Sequence, residues 1–304
     1  MDDQSHPLRL LNKLCFELDY KRPFLYTSPL YGMSHGGYTF WAEDQGGDAF
    51  QQFQNASATA YTEFGVPAMA SVETLKEIIP AEELFPIKRT DAWIAHHGFD
   101  AWGEHRWVSL DVFRRYFGEP SSIEEMVNKS TWAQCEGYRG AFEEMRRQWP
   151  RCSMSVNWCF NEPWKTCAGN NLIGYPTRVR PVYYYVQKAL RPTLFSAKIG
   201  KFDWNAGETF EAELWLLNDS PEAVKGSVTV TASVGEERFD LLTWNASANA
   251  NNNKQGPTVR FVLPNVADTD KVTLTLAAED GRESEYVFMY KPEGAKNTLR
   301  QLNV

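Results

Sequence analysis

Positive charge is scarce in this chain. Against 39 Asp and Glu stand 31 Lys and Arg, a formal net charge of −8, and no basic run occurs. Phosphate backbones are held by clustered Lys and Arg, so nucleic acid is not an expected partner. Long apolar runs are missing as well. No stretch approaches the roughly 20 residues that cross a bilayer, so no membrane partner is expected. The opening Met1-Asp2-Asp3-Gln4-Ser5-His6 has neither the basic region nor the apolar region of a secretory signal. The compartment stays open, and a periplasmic or secreted parent is compatible with it. Cysteine is sparse: residues 15, 135, 152, 159 and 167 make an odd set without CxxC spacing. That excludes a disulfide framework or a zinc site as the expected reading and leaves free buried thiols. The histidines His96, His97 and His105 show no ligand spacing, so no metal is expected. There is no Gly-rich phosphate loop and no Gly-x-Ser-x-Gly elbow, and no cofactor is implied.

Aromatic residues, by contrast, are abundant at 14%, with 11 Trp. They admit two readings. One is a set of large aromatic cores; the other is flat apolar platforms suited to the C–H faces of sugar rings. Otherwise the composition is that of a globular protein, and 304 residues are enough for two domains with real cores.

Near Pro192 the periodicity changes. Before it, helical spacing alternates with short apolar runs. His6 to Asp19 puts Leu8, Leu11, Cys15 and Leu18 on one helical face. Phe24 to Ser28 reads as a short buried strand, and residues 29–56, rich in glycine, as long loops with little regular structure. Ala58 to Thr62 reads as a second strand, ending at Glu63-Phe64-Gly65. A helix from Ser71 to Ile79 follows, with Ser71 as N-cap. Residues 80–120, with Trp93, Trp102 and Trp107, read as irregular. Ser122-Ile123-Glu124-Glu125 is a capping box opening a long helix to Trp149. Ser153 to Phe160 is the third strand, ending at Asn161-Glu162-Pro163-Trp164, and Arg178 to Leu190 is a closing helix. This is the rhythm of βα units on a parallel sheet, with polar and aromatic clusters after the strands.

After Pro192 period-two alternation dominates, as in Phe210, Ala212, Leu214, Leu216 and in Val228, Val230, Ala232, Val234. At least five strands between 194 and 290 suit an antiparallel, immunoglobulin-like sandwich. The polar stretch Asn245 to Gln255 reads as a mobile loop.

Two carboxylates fall at strand ends: Glu63 in Thr-Glu-Phe-Gly and Glu162 in Asn-Glu-Pro-Trp. Alone, the first tripeptide would be a solvated loop glutamate. Four segments in order give it context. They are Arg22-Pro-Phe-Leu-Tyr-Thr-Ser28, Tyr61-Thr-Glu-Phe-Gly65, Val156-Asn-Trp-Cys-Phe-Asn-Glu-Pro-Trp164, and the exit helix from Tyr175 to Arg191-Pro192. Together they resemble the C-terminal half of the catalytic barrel of glycoside hydrolase family 2, nearest its β-mannosidase-like members.

That resemblance implies an α/β plus all-β chain. Residues 1–192 would be roughly the last four βα units of a (β/α)₈ TIM barrel, 193–291 an immunoglobulin-like sandwich, and 292–304 a tail. It implies a retaining exo-β-glycosidase of β-mannoside or β-galactoside type, or a fragment of one. Glu63 takes the nucleophile role by position. Trp158 corresponds to the tryptophan that floors the sugar subsite. Asn161, Glu162 and Trp164 line the rim, and His35 is a candidate to bond a sugar hydroxyl. Two carboxyl groups about 5–5.5 Å apart are needed for retention. Glu162 follows the nucleophile in chain order, whereas the family's acid/base precedes it. The acid/base is therefore expected upstream of this chain, with a proton-transfer role for Glu162 left open. The expected partners are a carbohydrate and either a second copy or a missing N-terminal segment. The alternative is a non-catalytic carbohydrate-binding or structural remnant.

Overall fold

The computed structural model describes residues 5–100 and 107–294; Trp102, His105 and the tail from 295 lie outside them. The first part runs α1 (His6–Leu18), β1 (Met33–His35), β2 (Trp41–Ala42), β3 (Gly47–Asp48), α2 (Ala49–Asn55), β4 (Ala60–Phe64), β5 (Ala68–Met69) and α3 (Val72–Ile78). It continues with α4 (Asp91–Ala95), α5 (Leu110–Phe117), α6 (Ile123–Arg147), β6 (Ser155–Asn157), β7 (Ala168–Gly169), β8 (Ile173–Gly174), β9 (Arg178–Val179) and α7 (Pro181–Ala189). Its centre is a three-stranded parallel sheet in the order β1-β4-β6.

Helix boundaries follow the caps. Ser71 accepts from the Thr74 N–H at 3.2 Å, and Ser122 accepts from the Glu125 N–H at 3.1 Å. The Glu125 carboxylate completes its half of the box one residue early, on the Ser121 N–H at 2.7 Å. Behind the sheet, Phe53, Tyr61, Phe64, Tyr138 and Phe142 interlock edge-to-face and tilted at centroid separations of 5.0–5.8 Å.

Several expectations need correction. Residues 24–28 are not a strand; the first sheet strand is Met33–His35, inside the stretch read as loop. A strand exists only with a neighbour on its edge, and among the described residues, 24–28 have none. The same stretch also holds α2, started by a full capping box between Asp48 and Gln51. Residues 80–120 are less irregular than expected, since they contain α4 and α5. Helix α1 forms as its spacing predicts, yet none of its residues is buried.

From Thr193 the chain is all β. A three-stranded antiparallel sheet contains β10 (Thr193–Ile199), β12 (Thr209–Asn218) and β15 (Lys254–Val262) in that order. A second sheet has the order β11 (Asp203–Asn205), β17 (Glu283–Lys291), β16 (Lys271–Ala278), β13 (Val224–Val234), β14 (Glu237–Ala248), with β11 parallel to β17 and the rest antiparallel. The alternating residues of β12 and β13 point inward as expected; Phe210, Leu214, Val228 and Val230 are fully buried. The expected mobile loop at 245–255 is mostly strand. Only residues 249–253 connect β14 to β15, and Asn253 is bonded to Asn218 and to the Arg146 carbonyl.

One apolar cluster runs from the parallel sheet through α6 and α7 into the sandwich. Asp48 pins this junction. Its Oδ1 caps α2 through the Phe50 and Gln51 N–H groups at 3.0 and 3.1 Å, and its Oδ2 accepts from the Phe202 N–H at 2.8 Å. Asp48→Ala removes the cap and leaves a buried N–H unpaired. It is expected to destabilise by on the order of 2–3 kcal/mol, read as a lower urea midpoint at unchanged slope.

Candidate active site

Glu63 is the fourth residue of β4, the middle strand of the parallel sheet, beside His35 at the end of β1. The strand buries Tyr61 and Phe64 and leaves the Glu63 side chain 28% exposed. Beyond β1 the chain reverses through Gly36 and Gly37, whose φ values of 108° and 83° suit glycine. This turn brings Tyr38 back over the strand end, where its phenol donates a hydrogen bond to Glu63 Oε1. Burial, that bond and the nearby carboxylate charge all hold the Tyr38 phenol above its usual pKa, so it stays a donor. His35 Nε2 stands 3.7 Å from the same oxygen, and its Nδ1 is 2.9 Å from Ser28 Oγ. Glu63 is thus held from one side by a phenol, with an imidazole nearby.

An aromatic wall stands next to it. Trp158 follows β6, its N–H bonded to the Phe64 carbonyl at 2.8 Å, and its peptide to Cys159 is cis. Its ring lies 6.0 Å from Tyr38 and 5.7 Å from Trp107, and Tyr38 and Trp107 are 6.3 Å apart. Tyr38, Trp107 and Trp158 therefore form one cluster beside the carboxylate.

Glu162 is placed differently. It is 7% exposed, and its carboxylate accepts from the Thr166 hydroxyl and, at 3.4 Å, from the Tyr175 N–H. Among the described residues, no group bonded to Glu162 is also bonded to Glu63. Trp164 is stacked on His96 at 5.6 Å and edge-on to His97 at 4.9 Å. Asn161 is exposed, with its amide directed to the Glu162 carbonyl at 3.5 Å.

The structure thus gathers Glu63, His35 and Trp158, sets Trp164 among the two histidines, and encloses Glu162 in the loop after Asn161. Tyr38 was missed in the sequence reading, and Trp107 was noted there without a role. The signal for Tyr38 was its place directly after the Gly36-Gly37 pair that follows a strand-end histidine. No sequence spacing ties Trp107 to a site 44 residues upstream.

A carboxylate at the end of a parallel strand, held by a phenol and flanked by indoles, is an arrangement suited to a glycoside-cleaving site. No protein-family model matches the chain. The β-mannosidases B of Aspergillus niger and Emericella nidulans are each 23% identical to it over 197 residues, 60% of this chain. The chain spans only 22% of the length of either. The β-D-mannosidase of Dictyoglomus thermophilum shares its fold over 94% of the chain, with a TM-score of 0.68 at 18% identity, and is matched over 35% of its own length. The exo-chitosanase of Amycolatopsis orientalis does so over 93%, with a TM-score of 0.69 at 17% identity and 34% of its length matched. The chain is thus similar in sequence to part of the β-mannosidases B and shares its fold with part of the β-D-mannosidase and exo-chitosanase structures.

Burial lifts the Glu162 carboxyl above its ordinary 4.5, against the pull of the Thr166 hydroxyl, Arg180 and the Tyr175 N–H. A carboxyl whose folded-state pKa is raised keeps its proton longer in the folded than in the unfolded chain. Its contribution is fully present below the unfolded pKa and is lost as pH rises through the folded one. Glu162→Gln, neutral throughout, is expected to melt above wild type near about pH 7, with the gap closing towards about pH 4. Thermal melts across that range check the sign.

Proposed function

We propose that this chain is the C-terminal part of a retaining exo-β-glycosidase, of β-mannoside or β-galactoside type, with Glu63 as nucleophile. The observation that carries the reading is the Tyr38 phenol's grip, beside His35, on a partly exposed carboxylate at the end of β4. Such a grip fixes the direction of attack without removing the charge that attack requires. Glu63 attacks the anomeric carbon as the glycosidic C–O bond breaks. The departing oxygen takes a proton from an acid that lies upstream of this chain. Water then cleaves the glycosyl ester, giving its proton back to the same group. Trp158 and Trp107 face the sugar's C–H surface, and Trp164 and Asn161 border the entrance. No cofactor enters.

In this reading residues 1–192 are the second half of a (β/α)₈ barrel and 193–291 an immunoglobulin-like domain. The neighbours' lengths support that layout, because each is about three times this chain. So does the bare apolar face of α1, where Leu10, Leu11 and Leu14 are 42–49% exposed.

A second reading concerns the chain alone. Among the described residues its parallel sheet has three strands with both outer edges unpaired, and its second strand-end carboxylate is enclosed rather than shared with Glu63. That favours a chain without catalysis of its own. Loss of a general acid costs roughly 10²–10⁴-fold, so residues 1–304 alone are expected to hydrolyse aryl β-glycosides weakly or not at all. Robust turnover abolished by Glu162→Gln would instead assign the proton transfer to Glu162.

The nucleophile is tested in the full-length protein. A 2-fluoro glycoside with a good leaving group should label Glu63 covalently, located by mass spectrometry of the peptide. Glu63→Gln should remove both label and turnover while keeping the fold. Label on another carboxylate refutes the assignment. Tyr38→Phe should keep the label but slow its formation by on the order of 10-fold or more, since it removes one preorganised donor.

A further inference from the structure

Next to the Glu63 strand lies a cluster of buried amides that this reaction does not use. Asn170 and Asn171 are each 1% exposed, and Gln134 is fully buried. Gln134 Nε2 donates to the carbonyls of Val66 at 2.7 Å and Gly169 at 3.1 Å, tying the segment after Glu63 to the one before Asn170. The Tyr138 hydroxyl donates to the Asn170 carbonyl, and Arg180 donates to Asn171 Oδ1 at 2.9 Å. The backbone around Asn170 is therefore fixed from two elements. Its side chain lies against Gly65. A Cβ on Gly65 would stand 2.6 Å from Asn170 Cγ and 2.8 Å from its Nδ2, closer than side chains tolerate. Among the described residues, neither amide atom of Asn170 has a hydrogen-bond partner.

A buried amide without a protein partner costs stability, and an apolar side chain of similar size would fill the space at lower cost. Packing alone does not explain it; the place it occupies does. The Gly65 N–H donates to the Gly37 carbonyl at 3.2 Å and the Gly36 N–H to the Glu63 carbonyl at 2.9 Å. The segment from Glu63 to Gly65 is thus laced to the same glycine turn that presents Tyr38. On the other side the Trp158 N–H holds Phe64 at 2.8 Å. Asn170 adds a further support where these bonds give none.

We propose that Asn170 is a positioning residue for Glu63, acting through Gly65: it fills the space a side chain there would need and fixes the turn after β4 against Gly37, and so against Tyr38. This rests on the reading of Glu63 as nucleophile. The test uses the full-length protein and four forms: wild type, Asn170→Ala, Gly65→Ala and the double variant. Each is measured for kcat and KM on an aryl β-glycoside and for the rate of fluoroglycoside labelling at Glu63. Misplacement of a reacting group by about 1 Å costs up to roughly 100-fold. Asn170→Ala is therefore expected to lower kcat and labelling about 10-fold with KM nearly unchanged. Gly65→Ala should lower them further, and the double variant should recover part of that loss, because the new methyl then has room. Wild-type rates in Asn170→Ala, or a double variant no faster than Gly65→Ala, overturn the proposal. If Gly65→Ala does not fold, the kcat and KM of Asn170→Ala decide alone. Failure of wild type to label at Glu63 overturns the nucleophile reading and this inference together. Equal labelling of wild type and Asn170→Ala overturns this inference only.

Discussion

Helix α6 carries ionisable side chains into the interior, and the arrangement of the whole chain depends on where they find partners. Glu136, Arg139, Glu143 and Arg147 follow one another at three- and four-residue spacing on one face, and all are buried. Arg139 pairs with Glu136 and bonds the Glu285 carbonyl; Glu136 also accepts from the Val287 N–H at 3.1 Å. Glu143 accepts from Tyr286 at 2.8 Å and from Ser196 at 2.5 Å, and Arg147 donates to Ser196 at 2.7 Å. Burial pushes the Glu136 carboxyl up to about 7, against the pull of Arg139. Ion pairs of this kind often add no stability over an apolar filling, but removing one partner costs about 3–5 kcal/mol. Their effect here is to fix register. The partners on β10 and β17 can meet the helix in one position only, and the opposite face of α6 supports β4 and Glu63.

The parts of this arrangement legible in the sequence are those set by local chemistry. Ser71 and Ser122 announce their helices because a side-chain oxygen satisfies orphan N–H groups whatever surrounds it. Alternation in Phe210–Leu216 and Val228–Val234 marks strands because one face must be dry. The family likeness came from segments whose order, not composition, was informative. Of the residues proposed for the site, His35 stands 3.7 Å from Glu63, and the Trp158 N–H bonds the carbonyl of Phe64 next to it.

What was not legible depends on neighbours. Phe24 to Ser28 has the residues of a strand but, among the described residues, no strand beside it, so Met33–His35 takes the sheet edge beside β4. Helix α2 was written plainly in Asp48-x-x-Gln51, and the density of glycines around it hid the box. Asn245–Gln255 looked like loop because its side chains are polar, yet Asn245 to Ala248 pair along β13. Tyr38 could not be assigned from spacing, since its bond to Glu63 arises from the reversal at Gly36 and Gly37.

The charged face of α6 also bears on how such chains can be recombined. The sandwich is not a cassette that another β-fold could replace by joining it at Pro192. An incoming module would have to offer a carbonyl where Glu285 stands, an N–H in place of Val287, and hydroxyls at the positions of Ser196 and Tyr286. Sequence exchange across this junction is therefore constrained by four polar groups on the acceptor, two of them backbone atoms that no point substitution supplies.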